Sequence, residues 1–167
     1  MLLSKYKHLK GDIREVFVCR RKGCPRILVM NENESNPVAK QPCGHPYSKK
    51  SLKDCFILQM PVEKQLKLFV ERHGVNCSAV DPDPNIRGDI NTGAYFREMR
   101  ASGLIDDKTI TLQLNADGAP THKMSSHSIW PLMGIINEAR YQLRRSYVIL
   151  IALWYGEKKP PTEPYLN

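Results

Sequence analysis

The amino-acid order of this 167-residue chain predicts an α+β fold. Three observations lead there. Short β-branched and aromatic runs alternate with cysteine-bearing turns in the first 60 residues, one amphipathic helical stretch follows, and apolar runs of strand character fill the last third. Hydrophobic residues make up 41% and charged residues 25%, the balance of a soluble globular protein rather than a collagen-like or disordered one.

The elements follow in chain order. Ile13 to Cys19 suits a short strand ending at Cys19. Ile27 to Met30 is a second apolar run, Asn31 to Pro37 a polar loop, and Pro42-Cys43-Gly44-His45-Pro46 a tight turn. Strands this short bury little apolar surface, and small modules of the kind need a metal or a disulfide to fold. Val62, Leu66, Phe69 and Val70 fall on one face of a helix that Pro61 starts and Gly74 stops. The prolines of Asp81-Pro82-Asp83-Pro84 push their predecessors out of the helical region, so 75–88 reads as an extended linker between a module, 1–74, and a second region, 89–167. Asn91-Thr92 caps a helix running from Gly93 to Ser102, with Gly103 as its terminator. Thr109 to Leu114 alternates polar and apolar residues, as in a strand with one face buried. Ile129 to Ile136 is another strand, in which Pro131 demands a bulge, an edge position or a strand start. Tyr147 to Tyr155 is nearly continuous apolar sequence, expected of a central strand covered on both faces. Short connections let these three strands form an antiparallel meander.

Charge is unevenly placed. Residues 1–73 hold 15 Lys and Arg against 7 Asp and Glu, whereas 74–167 hold 10 of each, so the whole +8 excess lies in the first half. A basic segment of this kind attracts polyanions through counterion release, which makes DNA the expected partner, with Arg20, Arg21, Lys22, Lys49 and Lys50 as contacts. The plainer reading is a solvated lysine-rich surface. The longest apolar run is far below the roughly 18 residues of a membrane span. The start, Met1-Leu2-Leu3 followed by Lys5, Lys7 and Lys10, lacks the pattern of a secretory signal. An intracellular protein without a membrane partner is expected.

Five cysteines in a reducing compartment favour metal or free thiols over disulfides. Zinc takes four Cys or His donors, commonly as two pairs on separate turns. Cys19 and Cys24 form one pair, and Cys43 and His45 the other, with Cys55 as a replacement for His45. Four protein ligands would make such an ion structural. Free structural cysteines are the alternative. Asp117-Gly118 reads locally as a turn pair tolerating positive φ. Trp130 and Trp154 read as core, His122 and His127 as polar turn residues. Arg140, Arg144 and Arg145 form a basic connection, either solvated or facing phosphates.

Asn115-Ala116-Asp117-Gly118, then Ser125-Ser126 and Ser128-Ile129-Trp130-Pro131, then Ile136-Asn137-Glu138, and finally Ile149 to Gly156 with Lys159-Pro160, stand in an order and spacing that resemble the transposase domain of CACTA-like mobile elements, the CMC superfamily. Gly88-Asp89-Ile90 with Gly93 and Tyr95 is similar to the segment preceding that domain. The cysteine-rich start, with Phe56-Ile57-Leu58 and Pro61 to Leu66, is like the family's N-terminal zinc region. The resemblance spans most of residues 16–166 and is most specific around Asp117 and Trp130-Pro131. One departure is Ala139-Arg140, where a Leu-Pro turn is common in the family.

The resemblance implies a small zinc-ribbon-like module followed by the first three antiparallel strands of an RNase H-like domain. In such domains acidic residues hold two divalent ions that cleave phosphodiester bonds. Asp117 matches the first of those ligands. The remaining ones would lie beyond Asn167, so Mg2+ is expected only in a complete catalytic domain. The expectation is a transposon-derived nuclear protein, an N-terminal fragment or domesticated remnant. It would bind DNA through 1–73 and would need a missing C-terminal part or a partner chain for catalysis. The rival expectation is a zinc-dependent protein-interaction module.

Overall fold

A computed structural model describes Leu9, residues 11–19, the backbone of 27–28, and residues 55–75, 90–123, 125–157, 159–161 and 165. The elements are β1 (Arg14–Val18), β2 (Ile27–Leu28), β3 (Phe56–Gln59), α1 (Val62–His73), a 3-10 turn (Ile90–Thr92), α2 (Ala94–Ala101), β4 (Leu112–Ala116), β5 (Ala119–Pro120), β6 (Ser128–Ile136), α3 (Tyr141–Ser146) and β7 (Ile149–Gly156). The fold is α+β. The strands form one sheet in the order β2-β1-β3-β7-β6-β4, with β5 also paired to β6. Among the described residues no helix is long and apolar enough to cross a membrane.

Two compact units can be distinguished. The first comprises the described residues of Met1–Pro61, Ala116–Leu132 and Leu150–Asn167, and the second those of Val62–Asn115 and Met133–Ile149.

In the first unit β1 pairs antiparallel with β2, Phe17 opposite Leu28, and with β3, Val16 opposite Ile57. In turn β3 pairs antiparallel with β7, which sets Ile57 opposite Trp154 and Phe56 opposite Tyr155. Val16, Val18, Cys55, Ile57, Leu132, Ala152, Trp154 and Tyr165 form the buried cluster. Strand alternation explains the choice, because every second residue of β7 from Leu150 to Gly156 is buried while Ile151, Leu153 and Tyr155 are half-buried. The strand is central, as its apolar run predicts, but only one of its faces is fully covered. Across the sequence, β3 of the cysteine-bearing region is hydrogen-bonded to β7. Paired in this way, β3 and β7 satisfy each other's backbone donors and acceptors, which an unpaired edge would leave to water.

In the second unit α1 runs from Val62 to His73 and stops at Gly74, whose φ of +66° only glycine adopts readily. Its buried residues are Gln65 and Phe69, and Val70 is exposed. The buried face is therefore rotated from the one hydrophobicity alone selects. Phe69 decides the rotation, because its ring packs edge-on against Tyr147 at 4.8 Å. The N-cap of α2 is Gly93 in an extended conformation without a side-chain cap, and Asn91 and Thr92 are spent in the preceding 3-10 turn. At the other end the Leu104 N–H reaches Met99 C=O and the Gly103 N–H reaches Arg100 C=O, with Gly103 at φ +76°. That is a Schellman cap, and it requires the left-handed residue.

The predicted strand at Thr109 begins three residues late and buries neither face. Thr109 is held in a turn by Asp106, whose N–H donates to Thr109 Oγ1 while Thr109 N–H donates to Asp106 C=O. Thr111 is committed to Glu138, its N–H and Oγ1 donating to the two carboxylate oxygens at 2.9 and 2.7 Å. Side-chain bonds, local at Thr109 and from distant Glu138 at Thr111, thus compete with the ladder and delay the strand. The segment read as a basic connection contains a short helix, α3.

Candidate functional site

Asp117 lies in the gap between β4 and β5, which follow one another along the same side of β6. Ala119 is opposite Ile129 and Pro120 opposite Ser128. One step back along that register sets Gly118 opposite Trp130, and a second step sets Asp117 opposite Pro131. The bonds Thr121 N–H to His127 C=O and Asn137 N–H to Thr111 C=O, both 3.1 Å, follow the same register and fall on alternate residues. Asp117 and Pro131 therefore occupy a position where each residue would donate to the other. Pro131 has no N–H to give, so one rung is missing and the edge strand breaks there. Pro131 lies inside β6, which has neighbours on both sides, and the register is the same on either side of the gap, so the interruption is a missing rung in the neighbouring edge strand rather than a bulge.

The same gap fixes Gly118. Its φ is not in the left-handed region, so the local turn reading of Asp117-Gly118 is not the reason for the glycine. A Cβ there would collide with the Trp130 indole, which lies over the backbone. Several contacts hold the indole. Trp130 Nε1 donates to Ser128 Oγ at 2.9 Å, Tyr165 OH donates to Trp130 C=O at 2.8 Å, and Lys159 Nζ is 5.5 Å from the ring centroid. Burial pushes the Tyr165 hydroxyl up to about 12, which keeps it a donor at any ordinary pH. Asp117 itself is exposed, and its Oδ1 accepts the Gly118 N–H at 2.8 Å.

Chemically this is one carboxylate at a sheet edge with one of its oxygens already accepting a hydrogen bond. A pair of divalent ions needs several carboxylates. Among the described residues no three His, Cys, Asp or Glu side chains are grouped to hold a metal. Glu138, the other prominent carboxylate, is taken up by Thr111.

Of the zinc candidates, Cys19 directly follows β1 and is buried. Cys55 directly precedes β3 and is also buried; the β1–β3 register sets it opposite Val18. Cys55 packs in the apolar cluster with Val16, Val18 and Ile57, the surroundings of a core residue. Cys24, Cys43 and His45 lie outside the described residues, as do Arg20, Arg21, Lys22, Lys49 and Lys50.

Two features escape a reading by spacing. His127 stacks on Tyr155 at 5.1 Å and Tyr155 meets Phe56 at 5.3 Å, so an aromatic row crosses the half-buried face. Its members are far apart in sequence, which leaves no local signal. The second feature is α3, where Arg144 and Arg145 lie 6.0 and 5.8 Å from the ring centroid of an exposed Tyr141. The spacing of a tyrosine followed by arginines at i+3 and i+4 is legible once the segment is known to be helical.

No protein-family model, no curated protein and no solved structure matches the chain.

Proposed function

We propose that this chain is a transposon-derived DNA-binding protein whose C-terminal region descends from the opening strands of an RNase H-like nuclease. The observation that carries the reading is Asp117, exposed at a break in the edge strand beside β6. Support comes also from β4, β6 and β7 being consecutive neighbours in the sheet, the order a meander of opening strands requires. The basic excess in residues 1–73 supplies attraction to phosphates, with Arg20, Arg21, Lys22, Lys49 and Lys50 as contacts. Nuclear residence follows from such a role.

A structural zinc ion would be held by Cys19, Cys24, Cys43 and His45, organising the basic surface around it. The position of Cys19 directly after β1 fits a ligand, whereas Cys55, inside the apolar cluster, fits one less well. Asp117 alone does not fit a pair of magnesium ions. No cleavage step is assigned, and the activity proposed is binding.

The test is duplex binding by the full chain across a salt series. Binding that weakens steeply as salt rises supports the reading, with a slope of log K against log salt of about −0.9 for each phosphate neutralised. No binding at low salt overturns it and leaves the zinc-dependent protein-interaction module.

A further inference from the structure

β4 ends the sheet: it pairs with β6 on one side, and among the described residues no strand pairs with its other side. The bond from Asn137 N–H to Thr111 C=O at 3.1 Å fixes which backbone groups face β6. In an antiparallel pair alternate residues turn their N–H and C=O toward the partner strand, so Gln113 and Asn115 face β6 as Thr111 does, while Leu112, Leu114 and Ala116 face outward. The outward row closes after Ala116, because the Gly118 N–H is already given to Asp117 Oδ1 at 2.8 Å.

This edge carries none of the usual guards. Lysines, prolines and bulges on edge strands stop them from pairing with another chain. Leu112-Gln113-Leu114-Asn115-Ala116 contains no charged residue and no proline, and its register against β6 continues unchanged into β5. Gln113 to Ala116 are exposed, Leu114 by 55%. The same register sets Leu114 opposite Gly134, which has no side chain to cover it.

The edge is also complementary to itself, which a two-fold contact demands because each patch must fit its own copy. Two copies laid antiparallel about Leu114 put Leu114 opposite Leu114, Leu112 opposite Ala116, and Gln113 opposite Asn115. The outward residues then fall at the positions that exchange N–H and C=O bonds. Their apolar side chains share one face, and the amides of Gln113 and Asn115 meet on the other. Asp117 falls opposite Thr111, so no like charges meet.

We propose that β4 is a dimer interface, where a second copy of this chain adds its own β4 antiparallel and the sheet continues through a two-fold axis at Leu114. The contact is independent of the DNA-binding reading. Five residues at about 3.4 Å each make a contact about 17 Å long, short for a specific interface, so the dimer forms at micromolar rather than nanomolar concentration.

The experiment is sedimentation velocity of the full chain from low micromolar to near-millimolar concentration, which should show a monomer–dimer equilibrium. Leu114→Lys and Leu114→Glu each set like charges opposite one another and should weaken self-association by at least about tenfold. Thermal melting should stay unchanged, because the side chain is exposed. Mixing the two variants in equal amounts sets lysine opposite glutamate and should restore the dimer, which local damage to β4 would not do. A parent chain that stays monomeric throughout overturns the proposal, as does a Leu114→Lys variant that dimerises like the parent. A mixture that remains monomeric overturns it too, since the two-fold register requires position 114 to meet itself.

Discussion

Replacing Gly118 with alanine tests the geometry that positions Asp117. The backbone at Gly118 is one an alanine can adopt, since it is not in the left-handed region. Any penalty is therefore steric. The new methyl would overlap the Trp130 indole, a rigid ring held by the Nε1 bond to Ser128 Oγ at 2.9 Å. Overpacking of this kind costs about 1–3 kcal/mol. Loss of the Trp130–Ser128 bond as the indole swings away adds about 0.5–1.5 kcal/mol. The sum, about 1.5–4.5 kcal/mol, lowers Tm by about 3–18 °C in a protein of this size. Thermal unfolding followed by circular dichroism, with Trp fluorescence as a second probe, gives both the shift and the change in indole environment. The double variant Gly118→Ala/Trp130→Leu removes the obstacle, so the two changes should couple favourably by at least about 1 kcal/mol in a double-mutant cycle. A Gly118→Ala protein that melts with the parent and keeps its fluorescence refutes the placement of the indole on Gly118. The register that sets Asp117 opposite Pro131 would fall with it.

Other perturbations follow from the same contacts. Phe69→Ala should cost about 3–5 kcal/mol in guanidinium unfolding, because the ring is buried and packs against Tyr147. Gly103→Ala, at φ +76°, should cost about 1–2 kcal/mol by the same assay, since the Schellman cap needs a left-handed residue. Tyr165 titrates at about 12 instead of 10.0 through burial, so its contribution to stability is complete below 10 and is lost as pH rises through about 12; alkaline difference spectroscopy should detect one late tyrosine. Asp106 titrates below its ordinary 3.8 because Thr109 Oγ1 and then the Lys108 N–H donate to it. Its contribution is present above 3.8 and lost as pH falls through the folded value, and NMR titration of Thr109→Val should find the carboxylate moved back up. If zinc holds the module, a chelator should lower its unfolding temperature, and Cys19→Ser should abolish zinc binding measured by metal analysis.

Much of the secondary structure was legible because its signals are local. Pro61 and Gly74 bracket α1, Gly103 ends α2, and the apolar run after Val148 becomes a central strand. The misreadings arose where side-chain partners outside the apolar pattern compete with it. Thr109 to Leu114 alternates like a buried strand, yet Asp106 and Glu138 take up Thr109 and Thr111, and the strand forms later with both faces exposed. In α1 the apolar periodicity includes both Phe69 and Val70, but only Phe69 is buried, its ring against Tyr147, while Val70 is exposed. Asp117 could be singled out from its neighbours in the chain; the reason Gly118 follows it could not, because Trp130 reaches Gly118 only through strand pairing.

By itself, residue order determined the α+β class, the extent of the helix at Val62–His73, the existence of the last strand, and the concentration of positive charge before residue 74. These depend on backbone preferences and on spacing within a few residues. Tertiary structure alone decided that β3 pairs with β7, that the edge strand breaks opposite a proline, and that two arginines gather round an exposed tyrosine on a helix hidden in a connection. Pairing partners are chosen by burial and backbone hydrogen bonding summed over many residues, and no short window of sequence contains that sum.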